Sequence, residues 1–453
     1  MSLSPDQLKK TLDSLPQAGC CYLAFSGGLD SCVLLHLLSE ITAQLPYQVR
    51  ALHAHHGLQA AADRWQQHCE AVCAAYQIPL ITLALELAPK RGESVEALAR
   101  EARYDAFVRQ ISPGDLLLTA QHQDDQAETL LLQLLRGSGP AGLASMPQLT
   151  EFGSGWLARP LLQESRASIE AYAKAHDLQW QEDPSNRDQR FDRNFIRHRV
   201  MPLLQSRWPA AAQTLARSAR FSGEMLTLAE EEMAVELERV RHQDSDALSV
   251  SALKKMSSIR IRHLLRYWIA ANGAPMPNSK KLMRIENESI HGREDAKPLI
   301  VWRGWEVRRY RDELLLRQSA PFRALPDVIL WQDGDKLELP AGLGTLVATN
   351  SSVGVDRQRW LNGKIEVRFR RGGERCIPIG RQHHRTLKKL FQEWGIPPWD
   401  RDQIPLIYVD DELAAIPGMV VCEGFVSTDG GGGIQIQLLR NGVAQALIPK
   451  KLI

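Results

Sequence analysis

Cys20-Cys21-Tyr22-Leu23-Ala24-Phe25-Ser26-Gly27-Gly28-Leu29-Asp30-Ser31 is the stretch on which the reading of this chain turns. A short apolar run reads as a buried strand. It breaks into Ser-Gly-Gly-x-Asp-Ser, and residues 32–38 are apolar enough for a buried helix. Two glycines let the backbone turn tightly with its N–H groups converging. The helix that follows adds the amides of its first turn and the positive end of its dipole. Strand, turn and helix together predict a cradle sized for phosphate. Ser26 and Ser31 add hydroxyl donors, and Asp30 is placed to hold a Mg²⁺ that bridges phosphate oxygens. No Gly-Lys-Ser/Thr follows, which excludes a Walker A loop.

Working outward, strands and helices alternate. Residues 47–54 read as a second strand and 61–76 as a helix. A third strand is expected at 80–85, a helix at 93–111, a fourth strand at 115–120 and a helix at 124–135. This order predicts right-handed βαβ units and an α/β fold with a doubly wound parallel sheet. Ligands bind beyond the carboxyl ends of such strands. From residue 208 to 273, and again from 278 to 290, the pattern turns helical. Short alternating runs between 299 and 349 read as strands. The remainder is a mixed unit with a helix carrying Leu387, Leu390, Phe391 and Trp394 at helical spacing, stopped by Gly395 and Pro397. The expected division is therefore 1–207, an α/β nucleotide domain; 208–352, a mostly helical domain with trailing strands; and 353–453, a small mixed α/β domain.

Composition sets outer bounds. The chain has 453 residues, 44% of them hydrophobic and 24% charged, as in globular proteins of several domains. No apolar run is long enough to span a bilayer and no secretory signal opens the chain, so a cytoplasmic location is expected. Seven cysteines, two of them in the first predicted strand, argue for reduced thiols. Net charge is only +2, but residues 187–199 and 368–389 are locally basic, which suits an anionic partner larger than a nucleotide.

Chemistry-bearing residues cluster at the predicted strand ends. His55 and His56 follow the second strand, where they either contact nucleotide or substrate or pack the loop; no cysteine or carboxylate lies at zinc spacing around them. Arg100 and Arg103 share a helix face and can grip phosphates bidentately, or form a solvated face. His122-Gln-Asp-Asp-Gln-Ala-Glu128-Thr129 follows the fourth strand. One acid there suffices for a helix cap. Asp124, Asp125 and Glu128 together exceed that need and point to Mg²⁺, ATP or a cationic substrate. Further on, Arg190, Arg193, Asn194 and Arg197 fall on one helical face with Phe191 and Phe195 on another. A basic outward face suits a nucleic acid backbone. Arg385, Lys388 and Lys389 form a second such face.

The motifs Ser26-Gly-Gly-Leu-Asp-Ser31, His55-His-Gly-Leu58, Arg100-Glu-Ala-Arg-Tyr104, His122 to Thr129, Arg159-Pro-Leu161, Glu182-Asp-Pro-Ser-Asn186 and Arg193-Asn-Phe-Ile-Arg197 occur in this order. Together they resemble the tRNA(Ile)-lysidine synthases, within the ATP-pyrophosphatase (PP-loop) enzymes. The segment 387–401 is similar to the C-terminal domain of the longer, multidomain members. The resemblance implies ATP and Mg²⁺ as cofactors, and isoleucine tRNA with a CAU anticodon plus free L-lysine as substrates. It implies adenylation of the wobble cytidine at C2, displacement of AMP by the lysine amine to give lysidine, and a change of decoding from AUG to AUA. Carried onto this chain, Ser26, Gly27, Gly28, Leu29, Asp30, Ser31, His55, Arg100 and Arg103 are the expected ATP-binding residues. Asp30, Asp124, Asp125 and Glu128 are the expected catalytic ones, with Mg²⁺ on Asp30. Arg190, Arg193, Arg197, Arg385, Lys388 and Lys389 are the expected tRNA contacts.

Three other readings share the phosphate loop. A sulfur-transferring tRNA thiolase needs reactive cysteines, and no Cys-x-x-Cys follows the fourth strand. An amidotransferase needs a glutaminase unit, which is absent from the pattern. A nucleotide sensor needs neither the acidic cluster nor the basic faces. Oligomeric state is left open, a homodimer being one option, and so is which carboxylate serves lysine.

Overall fold

The computed structural model describes residues 3–55, 61–85, 95–242, 246–319, 325–332, 334–380, 383–427, 432–440 and 443–444. His56 lies outside them. The chain forms two compact units, residues 1–232 and 233–453.

The first unit is built on β1 (Cys20–Ala24), β2 (Gln48–His55), β3 (Leu80–Ala84), β4 (Leu116–Leu118), β5 (Leu149–Phe152) and β6 (Gly155–Ala158), in the order β3-β2-β1-β4-β6-β5. β3, β2, β1, β4 and β6 run parallel, as the alternating pattern requires, and β5 closes the edge as an antiparallel hairpin with β6. The sequence pattern does not single out β5 and β6. They are four residues each, and their apolar content is too low to stand out from a loop. The helices that matter here are α1 (Pro5–Asp13), α2 (Leu29–Ile41), α3 (Ala61–Ala75), α4 (Val95–Gln110), α5 (Gln123–Leu135) and α6 (Arg166–Ala175).

Period-two alternation assigns each strand residue to one sheet face. Cys21 and Leu23 of β1, Leu116 and Leu118 of β4 and Ala158 of β6 pack with α1, α2, α3 and α6. Tyr22, Leu52, Leu117 and Leu157 point the other way, against Phe107 and Ile111 at the end of α4. Helix α2 is apolar all round and Leu34, Leu35, Leu37 and Leu38 are fully buried, so the helix that begins at the phosphate loop is also the most deeply anchored. Truncating one such leucine to alanine costs about 2–5 kcal/mol. That anchoring gives the loop a rigid base.

Residues 192–207 continue as a helix broken by one wide turn, Asp192–Phe195, Ile196–Val200 and Met201–Arg207. The expected apolar face is not the buried one. Phe195 is 49% exposed, whereas Ile196 and Met201 pack with Ala127 and Ala212. The wide turn, in which each N–H reaches one residue further back than in an α-helix, shifts the phase of the stripe.

In the second unit, strands Leu248–Ser249, Leu299–Trp302, Trp305–Tyr310 and Glu313–Gln318 form an antiparallel sheet. Helix Ser258–Ala271 joins their core through Leu264, Leu265, Trp268 and Ile269. Beyond it lie two further antiparallel sheets sharing one core, from Trp331 to Leu438. The strands at 328–351 pair into these sheets, so the expected boundary at 353 falls inside this core. Helix Leu387–Glu393 buries Leu387, Leu390 and Phe391, as its spacing predicts. It ends at Gly395, whose φ of +74° lets the amides of Gly395 and Ile396 turn back to the carbonyls of Gln392 and Phe391.

Candidate active site

β1 has β2 on one side and β4 on the other, so the loops leaving β1 and β4 flank the point where the winding of the sheet reverses. The loop after β1 carries Ser26 to Ser31. Gly27 has φ +73°, and a side chain there would meet Cys69 Sγ at 2.9 Å and Trp65 Nε1 at 3.2 Å on α3. Gly27 is therefore required twice, for the turn and for the close approach of α3. Ser26 Oγ lies 3.1 Å from Ser31 Oγ, and Ser31 donates to the Gly28 carbonyl at 2.9 Å. Gly28 caps α2 without a side-chain hydrogen bond. The amides of the first turn and both hydroxyls are thus arranged as an anion cradle. Gln181 N–H donates to the Gly27 carbonyl at 2.9 Å, which lays the Glu182–Asn186 motif beside the loop. Trp65 Nε1 and His68 Nε2, also beside Gly27, are buried polar atoms without a partner in the structure.

Asp30, at the second position of α2, faces the end of β4. His122, only 2% exposed, has Nε2 3.8 Å from Asp30 Oδ1 and 3.4 Å from Asp125 Oδ2, and Nδ1 3.8 Å from Asp124 Oδ2. Neither ring nitrogen makes a hydrogen bond. Asp125 accepts from the His122 amide at 3.1 Å and, as the third residue of α5, closes its cap. So capping does account for one of the acids. The others have different partners. Arg193 donates to Glu128 Oε2 at 3.0 Å and Asp125 Oδ1 at 3.0 Å. Arg197 donates to Glu128 at 2.6 and 2.9 Å and to Asp125 Oδ1 at 2.8 Å. Asp124 accepts from the Arg166 amide at 2.9 Å, and the Arg166 guanidinium grips both oxygens of Asp30 at 3.0 and 3.1 Å.

The two nearest aspartates are pushed in opposite directions. Burial raises the Asp125 carboxyl, but His122, Arg193, Arg197 and the His122 amide more than offset it, so Asp125 sits below the ordinary carboxylate range. Burial also raises Asp30, the Asp125 charge adds to that, and His122 and Arg166 do not cancel it, so Asp30 sits above that range. Divergent carboxyls side by side are a frequent mark of a functional site.

The remaining expected residues are distributed as follows. Arg193 and Arg197 do not present an outward basic face; they turn inward to the carboxylates of α5 because Glu128, 2% exposed, needs cations there. Asn194 belongs to neither face: its amide staples the carbonyls of Ser185 and Asp188. Arg190 is exposed and paired with Asp188. His55 Nε2 lies 3.2 Å from Asp63 Oδ1, at the carboxyl end of β2. Arg100 lies over the Tyr104 ring at 5.0 Å and Arg103 at 6.0 Å. Arg385, Lys388 and Lys389 are exposed, Arg385 being 3.7 Å from Glu393. Arg166 is not among the residues that the sequence pattern singles out. It is one arginine with no local pattern, and its nearest signal is the preceding Arg159-Pro-Leu segment.

Among the described residues, no cluster of three histidine, cysteine or acidic side chains is arranged to hold a metal by itself. Magnesium is ordinarily held by one or two carboxylates with phosphate oxygens and water completing its shell. Asp30, part-exposed beside the phosphate cradle, fits that requirement. All seven cysteines are free thiols. No described helix is long and apolar enough to cross a membrane.

A family model for a PP-loop domain matches residues 3–204. One for a TilS substrate binding domain matches 248–315, and one for a TilS substrate C-terminal domain matches 365–438. The chain is 46% identical over 410 residues to the tRNA(Ile)-lysidine synthase of Serratia proteamaculans, covering 90% of this chain and 93% of that one. It is 45% identical over 425 residues to that of Methylococcus capsulatus, covering 92% and 95%. It is 40% identical over 423 residues to that of Coxiella burnetii, covering 93% and 94%.

Proposed function

The chain belongs to the tRNA(Ile)-lysidine synthase family, a group of ATP-using PP-loop enzymes, and from that membership we propose how its own residues perform the reaction. The enzyme uses ATP to ligate free L-lysine to C2 of the wobble cytidine of isoleucine tRNA bearing a CAU anticodon, releasing AMP and pyrophosphate. The observation that carries this reading is the facing of two loops across the sheet's switch point: the anion cradle of Ser26 to Ser31 after β1, and the carboxylate–guanidinium cluster after β4.

In the first half-reaction the C2 oxygen of the cytidine attacks the α-phosphorus of ATP and pyrophosphate leaves. The amides of Gly28 to Asp30 and the hydroxyls of Ser26 and Ser31 hold the phosphates in line, with His55, Arg100 and Arg103 as further nucleotide contacts. A Mg²⁺ held by Asp30 would neutralise charge on the departing pyrophosphate. In the second, the lysine amine attacks C2 and AMP leaves. A free lysine amine has a pKa near about 10.4, so it must lose a proton before it attacks. The acidic group Asp124, Asp125 and Glu128 receives the ammonium and lowers its entropy of approach. Asp125, held below the ordinary carboxylate range, suits binding an ammonium better than accepting its proton.

The tRNA reaches beyond this site. Arg190 near the active centre and Arg385, Lys388 and Lys389 on the helix at 387–393 are proposed phosphate contacts, the first by the anticodon and the others on a distant part of the tRNA. Arg193 and Arg197 act on tRNA only through the carboxylates they hold. The expected domains, 1–207 for catalysis with 208–352 and 353–453 for tRNA, suit this division. A reaction on cytoplasmic tRNA sets the proposed location, and the oligomeric state, monomer or homodimer, does not enter the chemistry.

The test is AMP and pyrophosphate formation by purified protein. We expect both to require tRNA, and lysidine to require lysine. Turnover of ATP that needs a sulfur donor, or that ignores tRNA, would overturn the assignment.

A further inference from the structure

Arg166 is the cation closest to the phosphate loop, and nothing in the reaction so far uses it. Its Nη1 bridges both oxygens of Asp30 at 3.0 and 3.1 Å, its Nε donates to Glu170 at 2.9 Å, and its amide holds Asp124 at 2.9 Å. It is the first residue of α6, behind the Ser165 cap, so its backbone is fixed while its side chain stays 40% exposed. Asp30 needs this partner: burial and the neighbouring Asp125 both oppose its charge, and His122, the other group facing it, makes no hydrogen bond. A guanidinium that spans both oxygens of a carboxylate uses the same lone pairs that a divalent cation would use.

We propose that Arg166 is a built-in counter-ion for Asp30, occupying the divalent-cation position of the phosphate loop until nucleotide arrives and then exchanging Asp30 for the anionic phosphates. This rests on the reading of Asp30 as a cation ligand. Because the Asp124 bond is made by the Arg166 amide and not by its side chain, the side chain can leave Asp30 without disturbing the carboxylates at the end of β4. Arg166 is thus a positioning residue: it keeps the buried carboxylate charged and oriented in the empty enzyme, and its release links nucleotide entry to the start of α6. The long, exposed side chain has the reach and the planar donor fork that phosphate takes bidentately.

The experiment is Mn²⁺ binding to the nucleotide-free full-length protein, followed by the paramagnetic resonance signal of free Mn²⁺. Arg166→Met should bind Mn²⁺ at least about tenfold more tightly than wild type, equivalent to about 1.4 kcal/mol. Arg166→Lys, which keeps a cation beside Asp30, should stay close to wild type. In the Asp30→Asn background, Arg166→Met should give no gain. Thermal melting monitors folding, and a structural staple alone would lower the melting temperature without tightening Mn²⁺. Unchanged affinity in Arg166→Met, with binding lost in Asp30→Asn, would overturn the counter-ion role and leave Asp30 as cation ligand. A gain that survives in the Asp30→Asn background would also overturn it, since the effect would then come from other carboxylates. Unaltered binding in Asp30→Asn would remove the cation-ligand reading itself, and the proposal with it.

Discussion

Replacing Arg197 by methionine should destabilise the first unit by about 3 kcal/mol. Glu128 is 2% exposed and Asp125 nearly as buried, and together they accept five hydrogen bonds from guanidinium groups. Arg197 supplies three of the five, including both bonds in which Nε and Nη2 chelate Glu128. Removing one member of a buried ion pair costs about 3–5 kcal/mol, mostly because the other charge is stranded. The Arg197 side chain is 31% exposed, so water can enter the space it leaves, which argues for the lower end. For a unit of this size the corresponding fall in melting temperature is about 6–12 °C. The double variant Arg197→Met/Glu128→Gln removes both partners and should recover at least about half of the loss. The pH dependence follows from Asp125, whose native pKa is depressed. A depressed carboxylate contributes stability above its unfolded pKa, about 3.9, and that contribution is lost as pH falls through the native value. The difference between wild type and Arg197→Met should therefore be largest near neutral pH and shrink below about pH 4. Urea unfolding at several pH values measures all of this. A single variant within about 0.5 kcal/mol of wild type, or a double variant no better than the single, would refute the argument that these arginines neutralise buried charge.

Gly27→Ala should weaken ATP binding at least about tenfold and cost about 1–2 kcal/mol in stability, because its φ is +73° and its Cβ would sit 2.9 Å from Cys69 Sγ; calorimetric titration with ATP that matches wild type would contradict the loop reading. Asp125→Asn should lower lysidine formation by at least about a factor of ten, about 1.4 kcal/mol in the barrier, and unchanged lysine and ATP kinetics would rule out its role. The triple alanine variant at Arg385, Lys388 and Lys389, all exposed, should raise the Kd for tRNA and flatten its salt dependence by about one log–log unit for each phosphate no longer neutralised. ATP affinity should not change, and wild-type tRNA binding at every salt concentration would make this helix a structural element only.

What the sequence determined by itself was local. The strand-to-helix passage through Ser26 to Ser31 and the alternation of elements from β1 to α5 specified a parallel sheet with a phosphate site at one end, because glycine conformation and apolar spacing act within a few residues. The helix at 387–393 was legible for the same reason, from Leu387, Leu390, Phe391 and Gly395. The β5–β6 hairpin was not, since four-residue strands at a sheet edge carry little pattern of their own. Partner choice was decided by the tertiary structure alone. Arg193 and Arg197 have the spacing of a nucleic-acid face, yet they close on Asp125 and Glu128, 65 to 72 positions away, because those carboxylates lose their water when the helices pack. Arg166 meets Asp30 across 136 positions. A charge at the surface of a helix and one that neutralises a buried acid look alike in sequence; which it becomes depends on what the fold removes from solvent.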